Sequence, residues 1–286
     1  MSILSNVSAG ASSEGQRIII AGVEGVGKST LVANAPRALF VPMELGYASI
    51  LTPKTPLLTT YDDVFTLLDE IKLSVQSNRN QFMTLSFDSA TALERLIHTK
   101  VLETDPDVVK ARLAKQPDPK NLTMETAHGG YGKAYNLAND YFSRFTRYCD
   151  ELARYGKLNI VITCHVFPSL VKDSAYGEYN SWDLLLHSPK NDKTYGKREL
   201  ITQWADMIGF LHEPLFVQKA EKGQSLVKGI SANQGRVLAV DRTPGWVAKN
   251  RYGLTGTIPI PKENGWNSIA NAIYNSSGID LWNRDV

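Results

Sequence analysis

The sequence predicts an α/β fold: a mostly parallel sheet covered by helices on both faces, with antiparallel strands added near the C-terminus. Three features of the 286 residues lead there. Short apolar runs rich in Ile, Val, Leu and Phe alternate with segments whose apolar residues recur every three or four positions. A glycine-rich loop joins the first such run to a helical stretch. Beyond residue 211 the pattern changes to short runs separated by turn residues, the mark of antiparallel strands.

Residues 17–21 (Arg-Ile-Ile-Ile-Ala) form a buried strand, and 31–35 continue a helix beyond the glycine-rich loop. Residues 38–42 form a second strand, and 47–60, rich in Thr and Pro, a loop. Residues 61–77 are helical, with Val64, Leu67, Leu68, Ile71 and Val75 on one face. Residues 82–88 form a buried strand ending in Asp88, and Ser89 or Thr91 caps a helix that runs to Leu102. Residues 103–133 are a polar insertion, loop-like but helical around 108–114, that ends in His128-Gly129-Gly130-Tyr131-Gly132-Lys133. The strongest helix is 134–155, where Ala138, Tyr141, Phe142, Phe145, Cys149 and Leu152 share a face and Gly156 stands where a C-terminal cap belongs. Residues 158–164 form a fourth strand ending at His165, 166–200 a second long irregular segment, and 206–211 a fifth strand. Antiparallel strands follow at 215–219, 225–230 and 236–241, then 246–254, a Pro-rich loop and a helix over 265–274.

Hydrophobic content of 43% and charged content of 21% are those of a soluble globular protein with a substantial core. A net charge of +2 does not mark a nucleic-acid binder, so any basic surface is local. Cys149 and Cys164 fall in apolar patterns and read as reduced core residues of a cytoplasmic protein. No apolar run reaches the roughly 18 residues a membrane span needs. The first 15 residues are Ser/Gly/Ala-rich without the features of a signal peptide and read as a flexible tail. The expected division is a tail over 1–15, one domain over 16–275 and a C-terminal tail over 276–286.

The loop is Gly22-Val23-Glu24-Gly25-Val26-Gly27-Lys28-Ser29-Thr30, which fits G-x-x-x-x-G-K-[ST] between a strand and a helix. Its glycines let successive backbone N–H groups face phosphate oxygens, Lys28 reaches the β- and γ-phosphates, and the Ser29 hydroxyl ligates Mg²⁺. The cofactors expected are therefore ATP and Mg²⁺. Asp88, at a strand end, reads as the second metal residue, acting through water, or as a helix-capping acid. Glu44, just past another strand end, reads as the group that orients and activates the attacking water, or as a solvated loop acid. His165 ends the fourth strand at the same edge and reads as a γ-phosphate sensor or as a structural histidine. Lys249 and Arg251, two residues apart in an extended Lys-Asn-Arg-Tyr-Gly stretch, point the same way and either clamp phosphate charge or form a solvated turn.

Together these positions resemble the RecA-type P-loop ATPase core. The Lys-Asn-Arg-Tyr-Gly stretch is similar to motifs of RadA and DnaB-type helicases. The chain over about 16–275 resembles the short phage-encoded RecA-like ATPases, including the Sak group of single-strand annealing recombinases. The resemblance implies an oligomer, ring or filament, in which Lys249 and Arg251 reach the ATP of the neighbouring subunit. It implies single-stranded DNA as a partner, contacted by 103–133 and 166–200, a single-strand-binding protein as a further partner, and a location in the cytoplasm of a bacterial host. His165 departs from the Gln usual at the sensor position, and the N-terminal polymerisation segment of RecA is missing or reduced to the first 15 residues.

The second polar segment carries Phe167, Tyr176, Tyr179, Trp182 and Tyr195, aromatic enough for base stacking or for packing a long loop. Its five Lys/Arg (172, 190, 193, 197, 198) balance five acids (173, 178, 183, 192, 199), so the basic excess is confined to 189–198. Lys133 could touch a phosphate or be solvated. The expected function is a DNA-stimulated ATPase that binds single-stranded DNA and assists annealing or exchange. The alternatives are a nucleotide-switched interaction protein and a helicase-like motor or loader subunit. A small-molecule kinase is disfavoured, because no Arg-rich lid lies between helices.

Overall fold

The computed structural model describes residues 14–173, 177–189, 195–217, 229–231 and 235–282. The expected N-terminal tail lies almost entirely outside the described residues, as do Tyr176, Lys190, Asp192 and Lys193.

The first strand, β1 (Arg17–Gly22), runs into the glycine-rich loop and α1 (Lys28–Ala33). There follow β2 (Ala38–Pro42), α2 (Tyr61–Gln76), β3 (Thr84–Asp88), α3 (Ala90–Glu103), α4 (Pro106–Leu113) and α5 (Lys133–Tyr155). The chain continues through β4 (Asn159–Asp173), β5 (Gly177–Leu184), α6 (Lys197–Trp204) and β6 (Met207–His212). It ends in β7 (Leu215–Val217), β8 (Gly229–Ser231), β9 (Arg236–Ala239), β10 (Lys249–Asn250), β11 (Thr257–Ile260) and α7 (Gly265–Ser277).

Among the described residues the main sheet runs β11-β9-β6-β1-β4-β3-β2, with β10 on β6 and β5 on β4, while β7 and β8 pair separately. The five strands β2, β3, β4, β1 and β6 are mutually parallel; β9, β10 and β11 are antiparallel additions. Strand alternation divides the core into two layers. Ile19 and Ala21 face the layer built with α2, α3 and α5, while Ile18 and Ile20 face the layer of α1 and α7. Burial on both faces explains why these strands are continuous apolar runs. Thr60 caps α2 in a reciprocal arrangement with Asp63, and Ser89 caps α3 through Ala92. Both cysteines are free and buried. Among the described residues no helix is long and apolar enough to cross a membrane.

Two expectations are corrected. Among the described residues, 166–200 is largely regular rather than irregular: β4 runs on past His165 and pairs with β5, and α6 begins at Lys197. Pro168 does not end β4, because a two-stranded ribbon has outward backbone positions where a missing N–H costs nothing. The Pro-rich stretch near the C-terminus contains β11, an edge strand that tolerates Pro259 for the same reason. As expected, the polar insertion 103–133 is helical near 108–114: it contains α4, capped by Asp105 with Pro106 in its first turn.

Candidate active site

Strand register brings the expected residues to one edge of the sheet. Gly22 at the end of β1 lies opposite His165, Ile162 of β4 lies opposite Phe87, and Pro42 at the end of β2 lies opposite Asp88. Glu44 follows two residues beyond Pro42. This is the carboxyl edge of the parallel strands, where open α/β sheets bind ligands.

Gly22 must be glycine, because a Cβ there would lie 2.5 Å from the Leu211 carbonyl oxygen of β6. Gly27 has φ of +91°, which opens the loop into α1. Lys28 is buried, and its Nζ donates to the Gly22 and Val23 carbonyl oxygens at 2.9 and 2.8 Å. Burial lowers its pKa, and Asp88, Glu44 and Glu24 oppose that loss. The ammonium is thus held inside the loop among carboxylates, where an added phosphate would supply the counter-charge it lacks.

Asp88 is 6% exposed and accepts a hydrogen bond from Thr163. Burial raises its pKa, while hydrogen bonds from Thr163 and Ser29 and the charge of Lys28 lower it. Since Ser89 caps α3, the Asp88 carboxylate is free of that duty and meets the Ser29 hydroxyl instead. One hydroxyl and one carboxylate beside a phosphate loop suit Mg²⁺, which keeps several waters and takes its remaining oxygens from phosphates. Among the described residues no cluster of three or more His, Cys, Asp or Glu side chains could hold a metal, so the ion's other ligands would come with the nucleotide.

Glu44 Oε1 stands 3.0 Å from His165 Nε2, and Glu44 Oε2 accepts from Arg95 at 3.1 Å. Burial works to raise the pKa of Glu44, but the His165 hydrogen bond and charge, with Arg95 and Ser89, hold it below the ordinary carboxylate range. The second ring nitrogen, His165 Nδ1, is buried without a partner among the described residues. The acid and the histidine, expected in separate roles, are one hydrogen-bonded unit. Arg95 on α3 and Thr163 on β4 are members that sequence reasoning missed. Arg95 had no signal beyond its helical position, while Thr163 stood two residues before His165 on the same face of the strand.

Two clefts flank the loop. One of about 710 Å³ lies between Val23–Val26 and Trp182, Phe210, His212 and Trp246, with Phe210 and Trp246 stacked 5.7 Å apart. The other, about 780 Å³, lies between the loop and Arg236, Pro259, Pro261 and Lys262.

Lys249 and Arg251 are elsewhere. β10 pairs with the start of β6, and Arg251 forms an ion pair with Asp206 at 2.8 Å, beside Arg17 at the start of β1. Lys249 Nζ donates to the Thr202 carbonyl at the end of α6, and Arg251 to that of Gln203. The two cations do point the same way, but they lie at the opposite edge of the sheet. The six residues of β1 put roughly 17 Å between them and the chain's own loop. A cis clamp is therefore excluded by position.

Behind His165 lies a buried polar cluster that the sequence did not announce. Lys197 is fully buried and sits 3.3 Å from Glu94 Oε1, His187 stacks on Tyr135 at 4.0 Å, and His98 lies edge-on to Tyr135. Burial, then the charge of Lys197, pushes His98 and His187 down to about 4. Glu199 opposes and Arg198 reinforces this at His187. The unfolded chain takes up these two protons below about 6.5, whereas the native state refuses them until about 4. Stability is therefore whole above pH 6.5 and falls as the pH drops towards 4. The midpoint of thermal unfolding should decline through that window, and replacing both histidines with Gln should flatten the decline; an unchanged slope would remove them from the account.

The family model described as AAA domain matches residues 14–252, from just before β1 to the Lys249–Tyr252 stretch. No curated relative matches the chain.

Proposed function

The chain belongs to the AAA domain family of P-loop ATPases, and from that premise we propose that it hydrolyses ATP as an oligomer to control its hold on single-stranded DNA. Phosphate-loop N–H groups and Lys28 would hold the β- and γ-phosphates, and Ser29 and Asp88 the Mg²⁺. When bound, Mg·ATP supplies the phosphoryl group that water attacks. Glu44 orients that water and accepts its proton on a carboxylate oxygen, while His165 Nε2 and Arg95 fix the carboxylate. The proposal keeps the kinship with phage-type annealing recombinases as its finer form.

One observation carries the DNA reading. The strand that presents His165 to Glu44 continues without a break into the β4–β5 hairpin, so the contact at the site and the projecting ribbon share one rigid element. Trp182 of that ribbon hydrogen-bonds through its backbone to Gly245 and Val247, just ahead of Lys249. Trp182, Tyr195 and the fully exposed Tyr131 of the glycine turn offer rings for base stacking. The charge expectation is weakened: Lys197 is buried against Glu94, Arg198 pairs with Asp183 and Lys172 with Glu178. Arg198 also covers the ring of Phe167. Binding should thus depend on stacking more than on phosphate contacts. Fluorescence anisotropy of a labelled single-stranded oligonucleotide tests this: tighter binding with ATP than without, lost in Trp182→Ala with Tyr131→Ala, is expected, and no binding in either state would refute it.

A second reading is favoured by the loop that carries Glu44, where Leu45 and Leu51 are 83% and 97% exposed. Apolar side chains there suit a nucleotide-switched protein interface, for a motor or loader subunit or for a single-strand-binding partner. That reading predicts ATP-dependent partner capture with no effect of DNA.

The proposal also gives Lys249 and Arg251 a neighbour's nucleotide, which requires Arg251 to leave Asp206. Arg251→Ala should lower turnover at least about tenfold, given the 10³–10⁵ range for such cations. Mixing it with Lys28→Ala subunits should restore part of the activity. Without restoration, Arg251 does not act on a neighbour's nucleotide.

A further inference from the structure

Arg236, at the start of β9, had no place in the sequence argument, yet its guanidinium lies against the phosphate loop. Nη1 donates to the carbonyl oxygens of Val26 and Gly27 at 3.1 and 3.3 Å, and Nη2 to that of Pro261 at 3.2 Å. Nε is buried with no partner among the described residues. The contact is close enough that a Cβ on Gly27 would fall 2.1 Å from Nη1 and push the guanidinium aside, while the positive φ there already favours glycine.

The peptide plane explains what this contact does. In a trans peptide unit the C=O and the following N–H point in opposite directions. The Val26 carbonyl shares its plane with the Gly27 N–H, and the Gly27 carbonyl shares its plane with the Lys28 N–H. A guanidinium that holds the Val26 carbonyl turns the Gly27 N–H to the other side, and at Gly27 it adds to the first α1 hydrogen bond, in which that carbonyl accepts from Leu31 N–H at 3.1 Å.

We infer that Arg236 is a positioning residue of the nucleotide site: from behind the loop it holds the Val26–Gly27 peptide plane, and reinforces the Gly27–Lys28 plane that the start of α1 also fixes, so that their N–H groups face an incoming phosphate. It also ties the loop to the β11–α7 connection through Pro261, so the antiparallel strands support the phosphate site rather than decorate it. The inference rests on the phosphate-loop reading and goes beyond it, because Arg236 lies some 200 residues away in sequence and within the same chain.

The test compares ATP with inorganic tripolyphosphate, which has no base or ribose, in titrations of the full chain monitored by calorimetry. Arg236→Ala should weaken both ligands by a similar factor of about ten or more, the loss expected for hydrogen bonds to a charged donor. Arg236→Lys, which keeps the charge but loses the fork, should fall between. Millimolar guanidinium should restore part of the affinity of Arg236→Ala and leave the wild-type chain unaffected. If Arg236→Ala fails to fold, Arg236→Lys decides: wild-type affinity for tripolyphosphate would overturn the inference. Loss of ATP affinity with tripolyphosphate unaffected would also overturn it, since Arg236 would then be contacting the nucleoside. If the wild-type chain binds neither ligand, the phosphate-loop reading itself has failed.

Discussion

Lys28→Ala should lower affinity for Mg·ATP by about a hundredfold to ten-thousandfold, the loss of one or two charge-assisted hydrogen bonds. Lys28 is buried in the loop, whereas Arg236 faces the loop's carbonyl oxygens and Arg95 is held on Glu44, so neither is placed to take over its phosphate contacts. The folded state should not suffer in return. Burial already lowers the pKa of Lys28, so removing the ammonium relieves a cost as well as two hydrogen bonds to Gly22 and Val23. The midpoint of thermal unfolding without nucleotide should therefore stay near the wild-type value, while the rise that Mg·ATP produces in the wild type should vanish. A normal nucleotide-dependent rise in Lys28→Ala would mean that the phosphates sit elsewhere.

Glu44→Gln should separate binding from turnover. The amide has the size of the acid and can still meet His165 or Arg95, but it cannot accept a proton. Turnover should fall by about 10²–10⁴, the usual worth of a general base, with nucleotide affinity within about threefold of the wild type. His165→Ala should cost less, because Arg95 still holds one carboxylate oxygen. It should also blunt any effect of ATP on DNA binding, since the hairpin continues from that residue. Unchanged turnover in Glu44→Gln would remove Glu44 from the mechanism and leave its contact with His165 as packing.

Much of this architecture could be read before the structure. The parallel strands are buried on both faces, so they announce themselves as unbroken apolar runs, and the phosphate loop has a fixed spacing. Asp88, Glu44 and His165 were found because each ends or follows such a run, and register then sets them side by side. What escaped notice has equally physical causes. The β4–β5 ribbon is half-exposed and interrupted by Pro168, so it lacks a core strand's pattern. β11 hides behind Pro259, and the two-residue β10 exists only as a partner of β6. Lys197 and Arg198 counted towards the basic excess over 189–198. Their pairing with Glu94 and Asp183 depends on tertiary contacts that no local pattern encodes. Arg236 was invisible for the same reason, because its meaning lies in two carbonyl groups on a distant loop.

What matters most is whether the Glu44–His165 unit turns over ATP and passes the event to the hairpin. Phosphate release from Mg·ATP, measured on the full chain with and without a single-stranded oligonucleotide, tests this most directly. The expected result is turnover that rises with the oligonucleotide, and a rise that disappears in His165→Ala. Turnover that ignores the oligonucleotide at saturating concentrations, or no turnover by a chain that binds Mg·ATP, would contradict it.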